Sequence, residues 1–471
     1  MKQLQQYRYS WTRRRRWPLA AMLAGITLRV ALMIAAYLLT DTQVMTQGDT
    51  ASYLEPGRNL ILHGQYVSGG LPEIDRTPGY PLFTTLTGMA FDNVLLTVLA
   101  QIVLSMLSLL LIRRTAERVF PNRGAGITAA WLYALEPISI LYTVRLMPET
   151  LFVLLLLAMV DRLLAFYETS KLSTLAVSGL LLAAATYVRP VSYYLVFPLA
   201  AALVVTAPRS TGLQWKASAV LLVSVLPWLA AWQQRNKAET GYSGFSSIVE
   251  QNLYFYQSAE VTAELAHISL AAEQKQLGYP DEPSYLAVHP EQKNWSPTQR
   301  LHYMRSQSVQ ILAQHSLLYL KTHFAGVGVV AFTPCATELL QLLHLYPQDD
   351  QMPQWILNQG IINSLAQVMR THPGVTIIMG WFELILLLYY ALAICGILRS
   401  RGERVPLILL IGIALYFLLI SGGAQAVGRY RLPVIPEVCI LAAGGLSVFR
   451  SKKKSGAQVA PLVDPIGTIR N

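Results

Sequence analysis

Apolar residues run along this chain in long segments that short polar stretches separate. The first segment, Trp17–Leu39, is long enough to cross a bilayer, since about 20 apolar residues in a helix span the hydrocarbon core. The further apolar segments are Val94–Ile112, Gly126–Val144, Leu151–Phe166, Leu172–Val188, Val191–Ala207, Ala217–Trp232, Gly374–Leu398, Val405–Ile420 and Leu432–Phe449. This pattern predicts an all-α polytopic membrane protein with about ten transmembrane helices.

The composition supports a membrane protein. Of the 471 residues, 53% are hydrophobic and only 13% are charged, whereas about a quarter of the residues in soluble domains are charged. The mean hydropathy is +0.40. Of the three cysteines, Cys395 and Cys439 lie in apolar segments, so a disulfide framework is not expected.

The net charge of +11 follows from membrane orientation. Basic residues cluster where predicted spans end, at Arg13–Arg16, at Arg113, Arg114 and Arg118, at Arg399, Arg401 and Arg404, and at Arg450 and Lys452–Lys454. Cytoplasmic loops carry such an excess of lysine and arginine. We therefore expect a multi-pass protein of a cell membrane, a bacterial inner membrane, with both termini cytoplasmic and with no nucleic-acid partner.

A long polar region between the two groups of spans predicts an external insertion. We divide the chain into an N-terminal transmembrane core (1–232), the insertion (233–373), C-terminal transmembrane helices (374–450) and a cytoplasmic tail (451–471). Within the insertion, Ser296 and Pro297 are typical of a helix start. A lone crossing by Leu317–Phe332 would put Arg399 outside, so this segment is expected to be an interfacial or re-entrant helix.

The first outer loop (41–81) holds the strongest candidate for catalysis. It contains the stretches GDTASY (48–53) and RTPGYP (76–81). These place the ionisable Asp49 at the outer membrane surface, with Tyr53, Arg76 and Tyr80 in the same loop. A catalytic role for Asp49 competes with a simpler one, because aspartate is also a good helix N-cap.

Several arginines lie at outer helix ends, where membrane orientation disfavours positive charge. They are Arg76, Arg145, Arg189, Arg235, Arg429 and Arg431. Each alone could pair with lipid phosphates or loop acids. As a set they indicate a shared anionic ligand, because guanidinium groups present forked donors to phosphate and keep their charge. The turn GRYRLP (428–433) adds Tyr430 between two of these arginines.

Two further acids need an explanation. Glu149 begins a predicted span, so it is either a functional acid or a residue favoured by the helix dipole. Glu136 lies inside the third span and is costly unless paired, and Arg29 in the first span is the expected partner. The eight histidines show no metal-binding spacing, so no metal or other cofactor is predicted.

Together these features resemble the class-C glycosyltransferases that use polyprenyl-phosphate sugars, the type that includes protein O-mannosyltransferases and the bacterial lipid A aminoarabinose transferase. The matching elements are GDTASY, RTPGYP, MPET (147–150), the Arg-Pro break at Tyr187–Pro190 and GRYRLP. The first loop holds no paired Asp-Glu, unlike that of the protein mannosyltransferases, and the insertion matches no signature of the family.

The resemblance implies a helical bundle with an external active site that transfers a hexosyl or pentosyl group from a polyprenyl-phosphate sugar. It implies Asp49 as the catalytic acid of the first loop, with Glu149 where some members carry a second acid. We expect Tyr53, Arg76, Tyr80, Arg145, Arg189, Arg429, Tyr430 and Arg431 to bind the substrates. Besides membrane lipids and the donor, the partner is a glycan, lipid or protein acceptor. A lipid or polysaccharide flippase remains the alternative.

Overall fold

The computed structural model describes residues 2–46, 48–120, 123–208, 212–346, 363, 366–367, 369–400 and 404–455, and the described chain is almost entirely helical. The helices of its first half are α1 Lys2–Thr40, α2 Thr50–His63, α3 Gly79–Thr87, α4 Val94–Val119, α5 Arg123–Leu135, α6 Pro137–Val144, α7 Glu149–Thr169, α8 Leu172–Val188, α9 Val196–Thr206 and α10 Leu213–Thr240. The later ones are α11 Ile248–Asn252, α12 Ala259–Ala266, α13 Leu270–Gln276, α14 Glu282–Val288, α15 Pro297–Gln314, α16 Ser316–Phe332, α17 Ala336–Leu342, α18 Pro373–Arg399, α19 Arg404–Ile420 and α20 Ile435–Ser455.

Shorter elements connect these helices. A two-stranded antiparallel hairpin in the first outer loop pairs β1 (Val67–Ser68) with β2 (Leu71–Pro72). The 3-10 turns are Gln43–Thr46, Met89–Phe91, Pro190–Leu195, Pro290–Gln292 and Gly428–Val434, and a π-helical turn covers Leu253–Ser258.

Each predicted span coincides with a helix or a helical pair, which confirms the all-α membrane fold. By length and composition, five described helices can cross a membrane, and up to seven spans result if each bent pair is one span. These five are Pro18–Thr40, Val94–Val119, Glu149–Thr169, Leu213–Thr240 and Pro373–Arg399. The count of ten stays a prediction, because α8, α9 and α19 are apolar but shorter.

The third predicted span is bent at Glu136. The axes of α5 and α6 differ by 55° across this residue. The carboxylate of Glu136 accepts a hydrogen bond from the Ser139 main-chain N–H at 2.6 Å, and Pro137 takes the first helical position. Glu136 therefore caps α6, which gives a buried acid a hydrogen-bond partner inside the membrane body.

The expected direct pair between Arg29 and Glu136 is wrong. The guanidinium of Arg29 donates to Ser105 Oγ at 2.9 Å, to the carbonyls of Gly25 and Ala134 at 3.2 Å each, and to Ser139 Oγ at 3.3 Å. Ser139 thus stands between the two charged groups and bonds to both. Neutral oxygens at the bend satisfy the arginine because α5 ends there and leaves carbonyls free.

The helix before the predicted insertion is longer than the apolar pattern indicates. Helix α10 continues past residue 232 to Thr240 and ends at Gly241, whose φ of 78° lies in the left-handed region that glycine favours. The predicted helix start at Ser296 is confirmed, since Ser296 and Gln299 form a reciprocal capping box before α15. The insertion has its own small core of Tyr242, Tyr254, Phe255, Tyr285, Leu301 and Met304.

The segment predicted as interfacial or re-entrant forms α16, which is bent by 58° relative to α17. Such a pair is either a broken span or a re-entrant loop, so this interpretation stays a prediction. Most of the insertion between residues 347 and 368 lies outside the described residues, as does the tail from residue 456 onward.

Helices α18 and α20 pack main chain against main chain. A Cβ placed on Gly396 would lie 2.0 Å from the Leu441 carbonyl oxygen, and one on Gly445 would lie 2.2 Å from the Leu392 carbonyl oxygen. Small residues permit this close approach, which favours helix association in membranes. Because the turn that carries Arg429 immediately precedes α20, this packing helps to hold the site.

We predict that Gly396→Leu destabilises the protein, because its side chain would collide with the backbone of α20. Overpacking typically costs about 1–3 kcal/mol, so the thermal unfolding temperature in detergent should fall by about 1–3 °C for a chain of this length. Gly380→Leu on the same helix is the control, since a Cβ there meets nothing within 4 Å. Equal unfolding temperatures for the two variants would contradict the packing.

Candidate active site

Asp49 is placed between a tight turn and the start of α2. Gly48 before it has a φ of 70°, a conformation that other residues adopt at a cost. Asp49 occupies the N-cap position, yet its side chain caps no main-chain N–H of the helix. The simpler interpretation of Asp49 as a capping residue is therefore not supported, because its carboxylate is engaged elsewhere.

Two arginines from distant parts of the sequence bind this carboxylate. Arg429 Nη2 lies 2.7 Å from Asp49 Oδ2, and Arg76 Nη2 lies 3.2 Å from Asp49 Oδ1. Burial raises the pKa of the Asp49 carboxyl, but the charges of Arg429 and Arg76 outweigh it and leave the pKa below its ordinary value. The side chain remains 37% exposed, so another molecule can reach it.

The first loop holds Arg76 by several contacts. Its guanidinium donates to Ser52 Oγ at 2.9 Å and to Tyr53 Oη at 3.2 Å, and it lies 4.6 Å from the centre of the Tyr53 ring. The Tyr53 ring in turn packs edge-on against Tyr80 at 5.3 Å. The structure thus brings together the predicted residues Tyr53, Arg76 and Tyr80, and it adds Ser52, which the sequence interpretation missed.

Tyr80 connects the Tyr53 ring to helix α4. It is fully buried and donates to Gln101 Oε1 of α4 at 2.9 Å. The Gln101 amide donates to the carbonyls of Thr143 and Arg145, at 3.0 and 2.8 Å. Gln101 therefore ties the first outer loop to the second outer corner. Its signal in the sequence is an amide inside an apolar span, a position where polar residues are rare and have partners.

A second ion pair lies beside the first. Arg189 Nη1 is 2.8 Å from Glu149 Oε1, and both side chains are largely buried. Tyr430 lies between the pairs, with its ring centre 5.6 Å from the Arg189 guanidinium carbon and 5.5 Å from that of Arg429. Arg189 also helps to lower the pKa of Asp49. The two pairs thus act electrostatically on one another across Tyr430.

Some polar atoms of these pairs are buried without a hydrogen-bond partner among the described residues. They are Arg429 Nε and Glu149 Oε2. A buried donor without a partner is costly, and a guanidinium presents its donors in a planar fork that fits phosphate. The Nε atoms of Arg145 and Arg431 share this state, so what distinguishes Arg429 is its ion pair with the partly exposed Asp49.

The other two predicted arginines have structural contacts instead. Arg431 is buried and donates to the carbonyls of Val330, Ala331 and Thr333 at 2.7, 3.0 and 3.1 Å, so it satisfies the free end of α16. Arg145 donates to the Glu338 carbonyl at 3.1 Å. Their prediction as substrate-binding residues gains no support from these contacts.

Arg235 acts on the site through the first loop. Its guanidinium donates to the carbonyls of Glu73 and Tyr66 at 2.5 and 2.8 Å. The Tyr66 hydroxyl donates to the Arg76 carbonyl at 2.8 Å. Arg235 thus fixes the stretch that delivers Arg76. Within the described ranges, no group of three or more His, Cys, Asp and Glu side chains is arranged to hold a metal ion.

Comparisons with known proteins concern the family and the fold. The family model of the dolichyl-phosphate-mannose-protein mannosyltransferases matches residues 75–232, about a third of the chain. That stretch runs from Asp75, beside Arg76, through Glu149 and Arg189. No curated protein sequence matches the chain.

Among solved structures, the archaeal oligosaccharyltransferase AglB from Archaeoglobus fulgidus, in complex with an inhibitory peptide and a dolichol-phosphate, has a similar fold. The TM-score is 0.50 at 12% identity, over 94% of this chain and 52% of that one. The apo form of the oligosaccharyltransferase from the same organism gives a TM-score of 0.45 at 13% identity, with 95% and 53% covered. The chain thus spans about half the length of these structures.

The resemblance found in the sequence is therefore confirmed at the level of fold and family model. This chain has the membrane fold of the class-C glycosyltransferases, and its residues 75–232 match the model of their dolichyl-phosphate-mannose-protein mannosyltransferase family.

Proposed function

We propose that the protein is an integral membrane glycosyltransferase that transfers a sugar from a polyprenyl-phosphate donor to an acceptor at the outer face of a cell membrane. The observation that carries this proposal is the partly exposed Asp49 carboxylate between Arg429 and Arg76, with Arg189 and Tyr430 beside it. A base beside a phosphate-binding arginine is what glycosyl transfer from a lipid phosphate requires.

The reaction is a direct displacement with inversion at the anomeric carbon. The acceptor oxygen or nitrogen attacks this carbon while its proton passes to Asp49. The bond between the anomeric carbon and the phosphate oxygen breaks, and its electron pair leaves with the lipid phosphate. Arg429 and Arg189 stabilise the charge that develops on this phosphate, and Tyr53, Arg76 and Tyr430 shape the space for the sugar.

The ion pair regulates the strength of the base. While Arg429 and Arg76 neutralise Asp49, its lowered pKa makes the carboxylate a weak proton acceptor. A donor phosphate that engages Arg429 competes with Asp49 for the same positive charge. Donor binding therefore raises the proton affinity of Asp49, so the base becomes effective when the leaving group is in place.

Glu149 has a supporting role in this scheme. It pairs with Arg189 at 2.8 Å and orients the guanidinium toward Tyr430. Arg145 and Arg431 are left out of the phosphate site because their described contacts are with main-chain carbonyls. On the distribution of basic residues we propose that both termini are cytoplasmic, and we propose a bacterial inner membrane as the location.

We predict that Asp49→Asn lowers sugar transfer roughly 10²- to 10⁴-fold, the usual loss when a general base is removed. The measurement is transfer of labelled sugar from a panel of polyprenyl-phosphate donors in membranes with equal expression. Asp92→Asn is the matched control, since Asp92 is 81% exposed and pairs with Arg58 at the surface. Near-normal transfer by a folded Asp49→Asn variant would refute Asp49 as the general base. Movement of donor lipid between leaflets without sugar transfer would favour the flippase.

We predict that Arg429→Gln weakens the binding of polyprenyl phosphate roughly 10- to 100-fold, because charge-assisted hydrogen bonds contribute about 1.5–3 kcal/mol each. Binding is measured with the sugar-free lipid and the purified protein in nanodiscs. Arg58→Gln is the control, since Arg58 is 42% exposed and pairs with Asp92 rather than with Asp49. If both variants bind the lipid as tightly as wild type, Arg429 does not hold the phosphate.

We predict that kcat/KM stays constant as the pH falls toward about 4 and is lost only below the ordinary range of a carboxyl pKa. The reason is that a lowered pKa keeps Asp49 ionised above that pKa, and protonation abolishes the base only as the pH falls through it. In Arg429→Gln, the loss of kcat/KM at acid pH should begin at a higher pH. The reason is that one of the two charges that lower the pKa of Asp49 is gone. An unchanged onset of this loss would show that Asp49 is not the titrating group.

A further inference from the structure

A group of charged side chains joins α4 to α7. The Asp161 carboxylate of α7 is buried, and its Oδ1 atom lies 2.6 Å from Arg118 Nη1 and 3.2 Å from Arg114 Nε of α4. Its Oδ2 atom accepts a hydrogen bond from Arg162 Nε at 3.0 Å. One buried carboxylate thus faces three guanidinium groups. We call these four residues the basic cluster.

The basic cluster is remote from the candidate active site. Gln101 of α4 connects this helix to the site through Tyr80 and the Arg145 carbonyl. Between Gln101 and Arg114 the helix rises by about 20 Å, at 1.5 Å per residue. The basic cluster therefore lies at the other end of the α4 span, where membrane orientation accounts for positive charge but not for three arginines on one acid.

The three arginines differ in exposure. Arg118 is largely buried, donates to the Asp161 carbonyl at 2.6 Å and pairs with Glu168 at 3.2 Å. Arg114 is 54% exposed, and Arg162 is partly exposed. A buried acid requires a partner with good geometry, and Arg118 supplies it. Arg114 and Arg162 reach from the same acid towards the surface, so another molecule can contact both.

The basic cluster has an excess of positive charge. Among the described side chains, its three arginines pair with two acids, Asp161 and the half-exposed Glu168. Glu117 does not supply a third, because it pairs with Arg113 at 3.0 Å and packs against Gly126 of α5. Guanidinium groups keep their charge, and two of them share one Asp161 oxygen. An added anion relieves their mutual repulsion.

The exposed face of α4 leads directly to Arg114. Its exposed large apolar side chains are Leu96, Leu99, Val103, Leu107 and Leu110. These positions recur every three or four residues and therefore form one stripe along the helix. Arg114 is the next exposed position of the same stripe. A lipid that lies along this stripe has an acyl chain on the apolar side chains and its headgroup at Arg114.

The combination of an apolar stripe and a positive end indicates the class of ligand. Guanidinium groups bind phosphate oxygens with forked donors, and basic pockets between membrane helices bind anionic lipid headgroups. A zwitterionic headgroup brings its own positive group, which the excess charge of the basic cluster repels. A soluble anion leaves the stripe uncovered. An anionic phospholipid matches both the charge and the apolar face.

We propose that the basic cluster is a binding site for an anionic phospholipid, whose phosphate contacts Arg114 and Arg162 and whose acyl chain lies along the exposed stripe of α4. Arg118 and Asp161 hold the two exposed arginines in place. This inference does not depend on the proposed sugar transfer. It gives the arginines at this helix end a ligand in addition to their role in membrane orientation.

The test measures lipid binding to the purified protein in detergent by native mass spectrometry, with the unfolding temperature of each variant. Wild type is compared with Arg114→Gln and with the double variant Arg114→Gln/Arg162→Gln. Arg113→Gln is the matched control, because Arg113 is the neighbouring residue, has the same charge and pairs with Glu117 instead of Asp161. The ligands are phosphatidylglycerol, phosphatidylcholine and inorganic phosphate.

We expect wild type and Arg113→Gln to bind phosphatidylglycerol in preference to phosphatidylcholine. Arg114→Gln should weaken the binding of phosphatidylglycerol roughly 5-fold, and the double variant roughly 25-fold, in line with the contribution of each basic residue near anionic lipid. Phosphatidylglycerol should raise the unfolding temperature of wild type, because a ligand of the folded state stabilises it. Inorganic phosphate should not, since it leaves the stripe uncovered.

Three results would overturn the inference. They are equal losses of phosphatidylglycerol binding in Arg113→Gln and Arg114→Gln, which show a response to net charge alone, equal binding of the two phospholipids, and equal stabilisation by inorganic phosphate. If Arg114→Gln does not fold, Arg114→Lys decides, because lysine keeps the charge and lacks the forked donors. Its affinity for phosphatidylglycerol must fall below that of Arg113→Lys. Every outcome is a binding result, so failure of the sugar-transfer proposal leaves it unaffected.

Discussion

The candidate active site depends on one carboxylate that is shared between two arginines. Asp49 belongs to the first loop, Arg76 follows it by 27 positions, and Arg429 follows it by 380. The three residues meet only when the first helix and the last helix of the bundle are in place. The close packing of α18 on α20 and the hydrogen bonds from the insertion to Asp75 and Gln425 therefore serve the same few atoms.

The two ion pairs of Asp49 also bear on the proposed proton transfer. An acid whose pKa is lowered by two guanidinium groups is a poor base until another anion engages them. Lipid phosphate is the anion that a membrane-embedded bundle can deliver beside Arg189 and Arg429. In the proposed mechanism, donor binding and proton transfer are therefore coupled through the charges of Arg429 and Arg76 on Asp49.

Much of the architecture was predictable from the sequence, because membrane spans and basic loop ends follow from the hydrocarbon core and the positive-inside rule. The proximity of Asp49 to Arg429 was predictable only as a shared anionic site at the outer helix ends. The sequence could not show that Arg29 bonds to Ser139 rather than Glu136, or that Arg431 caps α16, because each depends on where a helix bends or stops.

The most direct test of the central claim is an experimental structure of the protein with polyprenyl phosphate bound in a nanodisc. We predict phosphate oxygens at about 2.7–2.9 Å from the guanidinium of Arg429, with Arg189 on the same phosphate and the Asp49 carboxylate open to the outer side. A phosphate that lies elsewhere, with both Asp49 ion pairs unchanged, would contradict the shared role of Arg429.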